Sequence, residues 1–375
     1  MKSVSIFGST GSIGKNTVEI IKDNLDRFQV IALVAGSGYK TLAKQAKLLK
    51  PKYVVLADKS KYQDLKDELV DCQGVEILVG AEAITDVAKI KCDIVVSAIM
   101  GFAGLVPTYE AIKVGSNIAI ANKESIVCAG DLINKEARKS GSKLYPIDSE
   151  HNAIFQIFEN DKVDKIESIT LTASGGPFFN KDIDFSKVTP QMALKHPNWS
   201  MGAKISIDSA TMMNKGLELI EAYYLFDVEK DGIDIVVHPQ SIVHGMVNYV
   251  DGNSLAVMSL PDMKIPISYC LSMKNRMKIE KKKFDLAKIG SLDFFAVNDT
   301  KYPAINLCKQ ALKEGGASLV VLNAVNEIAV ARFLKGEIRF DEITDVVAKA
   351  LDSSTKFKVD SVKDIIEVDQ RFRSL

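Results

Sequence analysis

Seven apolar runs punctuate the first 150 residues, and the segments between them constrain the fold more than any other feature. The runs are VSIFG (4–8), FQVIALVAG (28–36), KYVVLAD (52–58), VEILVG (75–80), CDIVVSAIMG (92–101), NIAIAN (117–122) and KLYPID (143–148). They are continuous rather than alternating in polarity, as strands covered on both faces are. Segments of helical character, such as NTVEIIKDNL and YKTLAKQAKLL, separate most of them. Strand–helix alternation of this kind predicts a parallel sheet with right-handed crossovers.

The pattern changes after residue 150. ESITLTASGG (167–176) leads into a polar, proline-containing stretch, KVTPQMALKHPNWSMGAK (187–204), and then a helix is predicted over Ala210 to Phe226. IDIVVHPQSIVHGMVNYVDGNSLAVMSL reads as antiparallel strands that turn at Asp251-Gly252-Asn253. KNRMKIEKKKFD (274–285) reads as a solvated connection, and beyond Tyr302 the pattern is helical. The expected fold is α/β: an N-terminal Rossmann-like parallel sheet over 1–146, a central α+β catalytic domain over 147–285, a linker over 286–302 and a C-terminal helical domain over 303–375.

Lys+Arg and Asp+Glu are both 48, a balance that argues against a nucleic-acid-binding surface spread over the whole protein. The five cysteines are scattered and form no CxxC pair, which fits reduced thiols better than a disulfide framework or a zinc site. A strand begins by Val4, leaving no room for a signal peptide's apolar core. The longest mostly apolar run, Ile94 to Val106, is too short to span a bilayer and is broken by Ser97 and two glycines. The expected location is the cytoplasm, with neither membrane nor nucleic acid as partner.

In GSTGSIG, Gly8, Gly11 and Gly14 follow a predicted strand and open a predicted helix. Small residues there let the backbone approach a pyrophosphate, and the helix N-terminus supplies N–H donors. The bland alternative is a glycine-rich structural turn. The second strand ends VAGSG, with Ser37 and Lys40 where an NAD enzyme holds the ribose with an acid, so NADP is preferred over NAD. Ala98 to Gly101 and Asn122 to Glu124 end later strands of the sheet and are expected to border the cofactor.

Asp148 and Glu150 lie two apart on what reads as a strand end, so their carboxylates share a face. Oxygen ligands of this kind suit Mg²⁺ or Mn²⁺. Glu218 is the natural third, on the predicted helix that also carries Asn214 and Lys215 on the same face. That helix can offer an amide and an ammonium to a phosphate and a carboxylate to a metal. Ser209 just precedes it and could cap it or donate to the same phosphate. Ser174 with Gly175-Gly176 forms a second small turn that could cradle an anion. Each has a bland reading: Asp-Ser-Glu as a cap, and Lys215–Glu218 as an exposed ion pair worth about half a kcal/mol. Trp199, the only Trp, sits in the loop from His196 to Gly202, either as a lid or simply tacking the loop to the core. His151 follows the carboxylate pair, while His238 and His244 read as structural residues.

Assembled, these residues make the chain similar to the 1-deoxy-D-xylulose 5-phosphate reductoisomerase family. The resemblance rests on GSTGSIG, IANKES (120–125), PIDSEHNAIFQ (146–156), TASGGPF (172–178), KHPNWSMGAKISIDSATMMNKGLELIEA (195–222), HPQSIVHGMV (238–247) and LNAVNEIAVARFL (322–334). It implies NADPH-dependent isomerisation and reduction of 1-deoxy-D-xylulose 5-phosphate to 2-C-methyl-D-erythritol 4-phosphate, in the non-mevalonate route to isoprenoid precursors. It favours retro-aldol cleavage and re-addition over a direct α-ketol shift. The implied metal is Mg²⁺ or Mn²⁺, with Co²⁺ a further option, held by Asp148, Glu150 and Glu218. Lys123, Ser149, Glu150, Ser174, His196, Trp199, Met201, Ser209, Asn214, Lys215 and Glu218 would contact substrate. Of these, Lys123, Glu150, Glu218 and His196, together with Asp148, would take part in catalysis. Thr10, Gly11, Ser12, Ile13, Gly36, Ser37, Asn122, Glu124 and Gly202 would contact NADPH. The segment 195–204 would be a flap closed by Trp199, and the protein a homodimer. In the family a basic residue and then Asn are expected after Gly36. This chain has Ser37 and Gly38, so the 2′-phosphate contact is expected to be rebuilt around Ser37 or Lys40 or to be weaker. Two rival readings differ in class: a metal-independent semialdehyde or sugar-phosphate dehydrogenase, and a non-catalytic nucleotide sensor.

Overall fold

All seven apolar runs are strands: β1 (Lys2–Phe7), β2 (Phe28–Ala35), β3 (Tyr53–Leu56), β4 (Glu76–Val79), β5 (Ile94–Ser97), β6 (Asn117–Ile120) and β7 (Leu144–Pro146). This is seen in a computed structural model that describes residues 1–199, 201–354 and 357–374. The strands form one sheet in the order β4-β3-β2-β1-β5-β6-β7, and every pairing in it is parallel. The chain winds outward from β1 through β4, then returns to β5 on the other side. The order therefore reverses between β1 and β5, where an open α/β sheet binds its ligand.

The chain divides into two compact units. The first comprises Met1–Ser125, Ile133–Ser149 and Met263–Lys281; the second comprises Ile126–Leu132, Glu150–Asp262 and Lys282–Leu375. In the first unit, the helix Lys264–Leu271 is tied to the N-terminal sheet and its helices. Lys264 Nζ pairs with Glu19 at 2.6 Å, and the Cys270 thiol donates to the Pro146 carbonyl at 3.2 Å.

The second unit is built on a five-stranded sheet of β8 (Ile166–Ala173), β9 (Ile233–Val237), β10 (Val243–Tyr249), β11 (Ser254–Met258) and β12 (Phe295–Ala296), in the order β11-β10-β8-β9-β12. The predicted hairpin is β10–β11, turned by Gly252 (φ 85°) with Asp251 accepting from the Asn253 N–H at 3.0 Å. β9 departs from expectation: it pairs parallel with β8 rather than antiparallel with β10. Alternation of polarity fixes which face a residue occupies but not which strand becomes its neighbour.

The helix expected over Ala210–Phe226 is two helices, Ala203–Thr211 and Met213–Leu225, broken at buried Met212 with φ 63°. Neither Gly nor Pro marks the break, so the sequence pattern runs straight through it. The C-terminal helices Ala304–Glu314, Ala317–Leu334, Glu342–Leu351 and Val362–Arg373 belong to the same unit as the central sheet. Ile207 and Ala210 of the 203–211 helix share a core with Ala329, Val330, Phe333, Phe340 and Ile343. Ala317–Leu334, with a mean hydropathy of 1.5, is longer than the run singled out from sequence and long enough to cross a membrane, yet 72% of it is buried inside the protein, as in a core helix. All five cysteines are free thiols.

Candidate active site

The glycine turn after β1 is dictated by close packing. Gly8 has φ 90°, and a Cβ on it would stand 2.3 Å from the Ala98 carbonyl oxygen at the end of β5. A Cβ on Gly14 would stand 2.3 Å from the Gly8 oxygen, so the following helix, Ser12–Lys22, presses directly onto the turn. Gly11 caps that helix without a side-chain hydrogen bond, so no cap side chain occupies its first-turn N–H groups. Gly36 is different: a Cβ there would meet nothing within 4 Å, so packing within the chain does not require glycine. Ser37 and Lys40 are exposed beside it, and the ammoniums of Lys40 and Lys61 each lie 5.9 Å from the centre of the Tyr39 ring. Lys61, on the turn after β3, was not visible as part of this region from sequence.

At the end of β6, buried Asn122 accepts from the Ser125 N–H at 2.9 Å, capping the helix Lys123–Ser140. Its amide donates to the carbonyls of Ile99 (2.7 Å) and Gly101 (2.9 Å) and reaches Glu124 Oε2 at 3.0 Å. Asn122 thus fastens the loop after β5 to the loop after β6, both at the ligand end of the sheet. Lys123 Nζ donates to Asp148 Oδ2 at 2.7 Å, and both side chains are largely buried.

Asp148 and Glu150 do not share an extended segment. β7 stops at Pro146, and Glu150 stands in the first turn of the helix Ser149–Ile157, where a carboxylate is favoured by the helix dipole. In the second unit, Lys215 Nζ donates to Glu150 Oε1 at 2.6 Å and to Glu218 Oε2, while the Asn214 amide donates to Glu218 Oε1. Oxygens of Glu150 and Glu218 lie within 4.8 Å of one another. The Lys215 side chain is 4% exposed and that of Glu218 only 2%, so this is not the surface ion pair of the bland reading. Two carboxylates this close and this dry repel unless a cation lies between them. Lys215 serves here, and the all-oxygen donor set is the one a hard divalent ion takes.

Ser209 lies within the 203–211 helix rather than before a cap; Met212 occupies the cap position of the next helix without a side-chain bond. Gly176 (φ 67°) brings the Ser174-Gly175-Gly176 turn against Ser209, since a Cβ on Gly176 would stand 2.6 Å from the Ser209 carbonyl. Ser174 Oγ accepts from His196 Nε2 at 2.9 Å and from the Gly176 N–H at 3.2 Å. The other ring nitrogen, His196 Nδ1, accepts from the N–H groups of Trp199 (2.9 Å) and Asn198 (3.2 Å), which fixes the proton on Nε2. Burial lowers the His196 pKa to about 4, so the ring is neutral at physiological pH.

The loop is tethered as well: Asn198 donates to the Pro239 carbonyl (2.6 Å) and Ser241 Oγ (2.8 Å), and the half-buried Trp199 ring sits edge-on 6.5 Å from His244. Met201 is half-buried, and exposed Gly202 caps the 203–211 helix. Ser200, within the expected flap, lies outside the described residues. His238 and His244 are satisfied as expected. His238 donates to the Asp293 carbonyl at 2.9 Å and accepts from the Ile242 N–H at 3.1 Å, and His244 bonds Ser259 Oγ at 3.0 Å.

Family models described as 1-deoxy-D-xylulose 5-phosphate reductoisomerase, its C-terminal domain, and DXP reductoisomerase C-terminal domain match residues 4–130, 144–226 and 258–375. A 1-deoxy-D-xylulose 5-phosphate reductoisomerase from Zymomonas mobilis is 47% identical over 373 residues, covering 99% of this chain and 96% of the relative. This chain belongs to the 1-deoxy-D-xylulose 5-phosphate reductoisomerase family. The reductoisomerase of Wolbachia pipientis wMel is 48% identical, over 100% of this chain and 96% of its own length. Among solved structures, the Z. mobilis enzyme in complex with NADPH superposes with a TM-score of 0.94 at 45% identity, covering 100% of this chain and 97% of that one. A DOX-P reductoisomerase in complex with NADPH, fosmidomycin and magnesium gives 0.95 at 40% identity, with the same coverage. Membership sets aside both the metal-independent dehydrogenase and the non-catalytic sensor.

For a reductoisomerase, one pair beneath the acidic cluster was underrated by sequence reasoning. His151, fully buried, donates from Nε2 to the Glu218 main-chain carbonyl at 2.8 Å, and its Nδ1 lies 3.6 Å from buried Glu221. It therefore steadies the backbone from which Glu218 projects. The available signal was spacing: His151 adjoins Glu150, and Glu221 follows Glu218 by three on the same helix face.

Proposed function

We propose that the chain converts 1-deoxy-D-xylulose 5-phosphate to 2-C-methyl-D-erythritol 4-phosphate with NADPH and a divalent ion, and that Asp148, Glu150 and Glu218 hold that ion. The observation that carries this reading is the buried Lys215 ammonium between the partly buried Glu150 and the buried Glu218, an acidic pair organised around a cation. A bound Mg²⁺ or Mn²⁺ supplies Lewis acidity to the substrate's carbonyl and adjacent hydroxyl. NADPH supplies the hydride.

The chain's own residues do the rest. Thr10, Gly11, Ser12 and Ile13 seat the pyrophosphate on the helix N-terminus, with Gly36, Ser37, Asn122, Glu124 and Gly202 completing the cofactor contacts. Lys40 and Lys61, flanking Tyr39 near Ser37, offer the 2′-phosphate the charge that the family's basic residue would supply. Lys123, paired with Asp148, orients that carboxylate and stands within the substrate's reach. Ser149 lies between the two acids in sequence. At the remote end, Ser174, Ser209, Asn214 and Lys215 bind the phosphate, together with a neutral His196 that presents an N–H. Binding energy gained there holds the reacting carbons in place. Trp199 and Met201 cover the substrate and exclude water. Asp148, Glu150, Glu218, Lys123 and His196 are the residues that act at or beside the chemistry. Residues 1–146 form the cofactor region and 195–204 the flap; the expected linker at 286–302 carries β12 of the central sheet, so the central sheet and the helices of 303–375 serve as one substrate region rather than two, and the working form is a cytoplasmic homodimer.

NADPH oxidation that depends on 1-deoxy-D-xylulose 5-phosphate, stops on chelation and returns with Mg²⁺ or Mn²⁺ tests the reading. Full activity in the presence of a chelator would overturn the metal assignment.

A further inference from the structure

Asp208 is 1% exposed, lies in the helix Ala203–Thr211 whose first residues end the 195–204 flap, and immediately precedes Ser209. Its two oxygens are held from different directions. Oδ2 takes the Lys204 ammonium at 2.7 Å, and Oδ1 accepts from the Asn326 amide at 3.0 Å, across to the buried helix Ala317–Leu334. Apolar contacts already join the two helices, through Ile207 and Ala210 against Ala329, Val330 and Phe333. Docking them does not need a charge. A buried ion pair is in general weak evidence for stability, and an apolar replacement often serves as well.

The order of the pair is also the reverse of what a helix favours. Lys204 stands in the first turn with its acid four residues later, so the ammonium sits at the positive end of the dipole. Position explains what local energetics do not. Lys204 is the last residue of the 195–204 segment, two after Gly202, and Gly202 caps the helix without a side-chain bond. Ser206 Oγ donates to the Gly202 carbonyl at 2.9 Å, so the root of the flap is fastened by side chains from this one turn. On the other side of Asp208, the Ser209 backbone is packed against the Ser174-Gly175-Gly176 turn.

We propose that Asp208 is a positioning residue: held by Lys204 at the root of the flap and by Asn326 of the C-terminal helix, it sets the flap and Ser209 for the phosphorylated end of the substrate. The proposal rests on the reading of 195–204 as a flap over that substrate, and the test separates the two. Trp199, the only Trp, is an intrinsic fluorescent probe of the flap. Asp208→Asn keeps the shape and the Asn326 contact geometry but removes the charge; Lys204→Met removes the partner; Lys204→Arg replaces it.

In Asp208→Asn and Lys204→Met, KM for 1-deoxy-D-xylulose 5-phosphate rises about tenfold while kcat stays within about threefold, the scale of loss that follows from a misplaced substrate-positioning element. The substrate concentration that half-saturates the Trp199 emission change rises in parallel, NADPH affinity is unaltered, and Lys204→Arg restores KM. If Asp208→Asn does not fold, the Lys204→Met and Lys204→Arg pair decides alone. Unchanged KM and emission titration in Lys204→Met would overturn the proposal. So would a joint loss of kcat, NADPH affinity and melting temperature that Lys204→Arg does not rescue. Trp199→Phe serves as the control. If it raises KM while the Lys204 and Asp208 variants behave like wild type, only the role of Asp208 fails; if it leaves KM untouched, the flap reading fails with it.

Discussion

The glycine turn at 8–14, the proposed seat of the cofactor's pyrophosphate, and the cluster around Lys215, the proposed metal and phosphate site, are made in opposite ways. The turn is backbone: Gly8 and Gly14 are required because carbonyls and Cα atoms pass where a Cβ would be, and the donors are main-chain N–H groups that do not titrate. The cluster is side chain: Glu150, Asn214, Lys215 and Glu218 come from two helices and depend on one ammonium to share a small, dry space. A backbone cradle is robust to the charge of its neighbours and fragile to volume. A buried charge cluster is the reverse, because volume can be kept while one lost charge leaves the others uncompensated.

The sharpest way to break this contrast is Glu218→Gln, which preserves volume and removes a charge. Turnover should fall by about a thousandfold or more, the scale expected when a metal's charge-stabilising role is lost, with NADPH affinity within a factor of about two. Steady-state kinetics beside an NADPH fluorescence titration measure both, and equal losses would erase the distinction between the two regions. Lys215→Ala follows, raising KM for the phosphorylated substrate by about a hundredfold, since a hydrogen bond to a charged group is worth about 1.5–3 kcal/mol. A dephosphorylated analogue compared in the same assay should lose far less. Gly14→Ala is the complementary volume test: it should weaken NADPH binding by about tenfold, as overpacking costs about 1–3 kcal/mol, while calorimetric Mg²⁺ affinity is retained.

The smallest effect concerns His196. Its pKa is lowered from 6.5 to about 4 by burial, so the unfolded chain takes up a proton first as the pH falls. Its contribution to stability is full above about pH 6.5 and is lost as the pH drops towards 4. A ring resonance followed by NMR should titrate near pH 4 in the ligand-free chain. Titration near 6.5 would mean that the His196–Ser174 contact is open in solution.

How much was legible in advance follows the same division. Every strand of the first sheet could be read because burial on both faces leaves an uninterrupted Val/Ile/Leu signature, and the glycine turn because its requirement is local. Spacing also picked out Glu150, Lys215 and Glu218, which the structure brings together. Helix geometry was less visible. The break at Met212 carries no glycine or proline, so Ser209, read as a possible cap or phosphate donor ahead of the helix, lies inside one. Glu150 was placed on a strand because LYPID reads as one, although Pro146 ends it. His151, Lys61 and Asp208 were given no role, since their partners (Glu218, Tyr39 and Asn326) come from other elements of the chain.

The sequence by itself determined the parallel sheet, the glycine turn after its first strand and the kinds of residue proposed for a metal and a phosphate, because each depends on periodicity or on the sterics of neighbouring residues. Only the tertiary structure decided which strand β9 would join, how the C-terminal helices share a core with the 203–211 helix, and which buried charges meet. Those outcomes depend on free energies of burial and pairing that exist only once distant segments are packed together, and no window of the chain contains them.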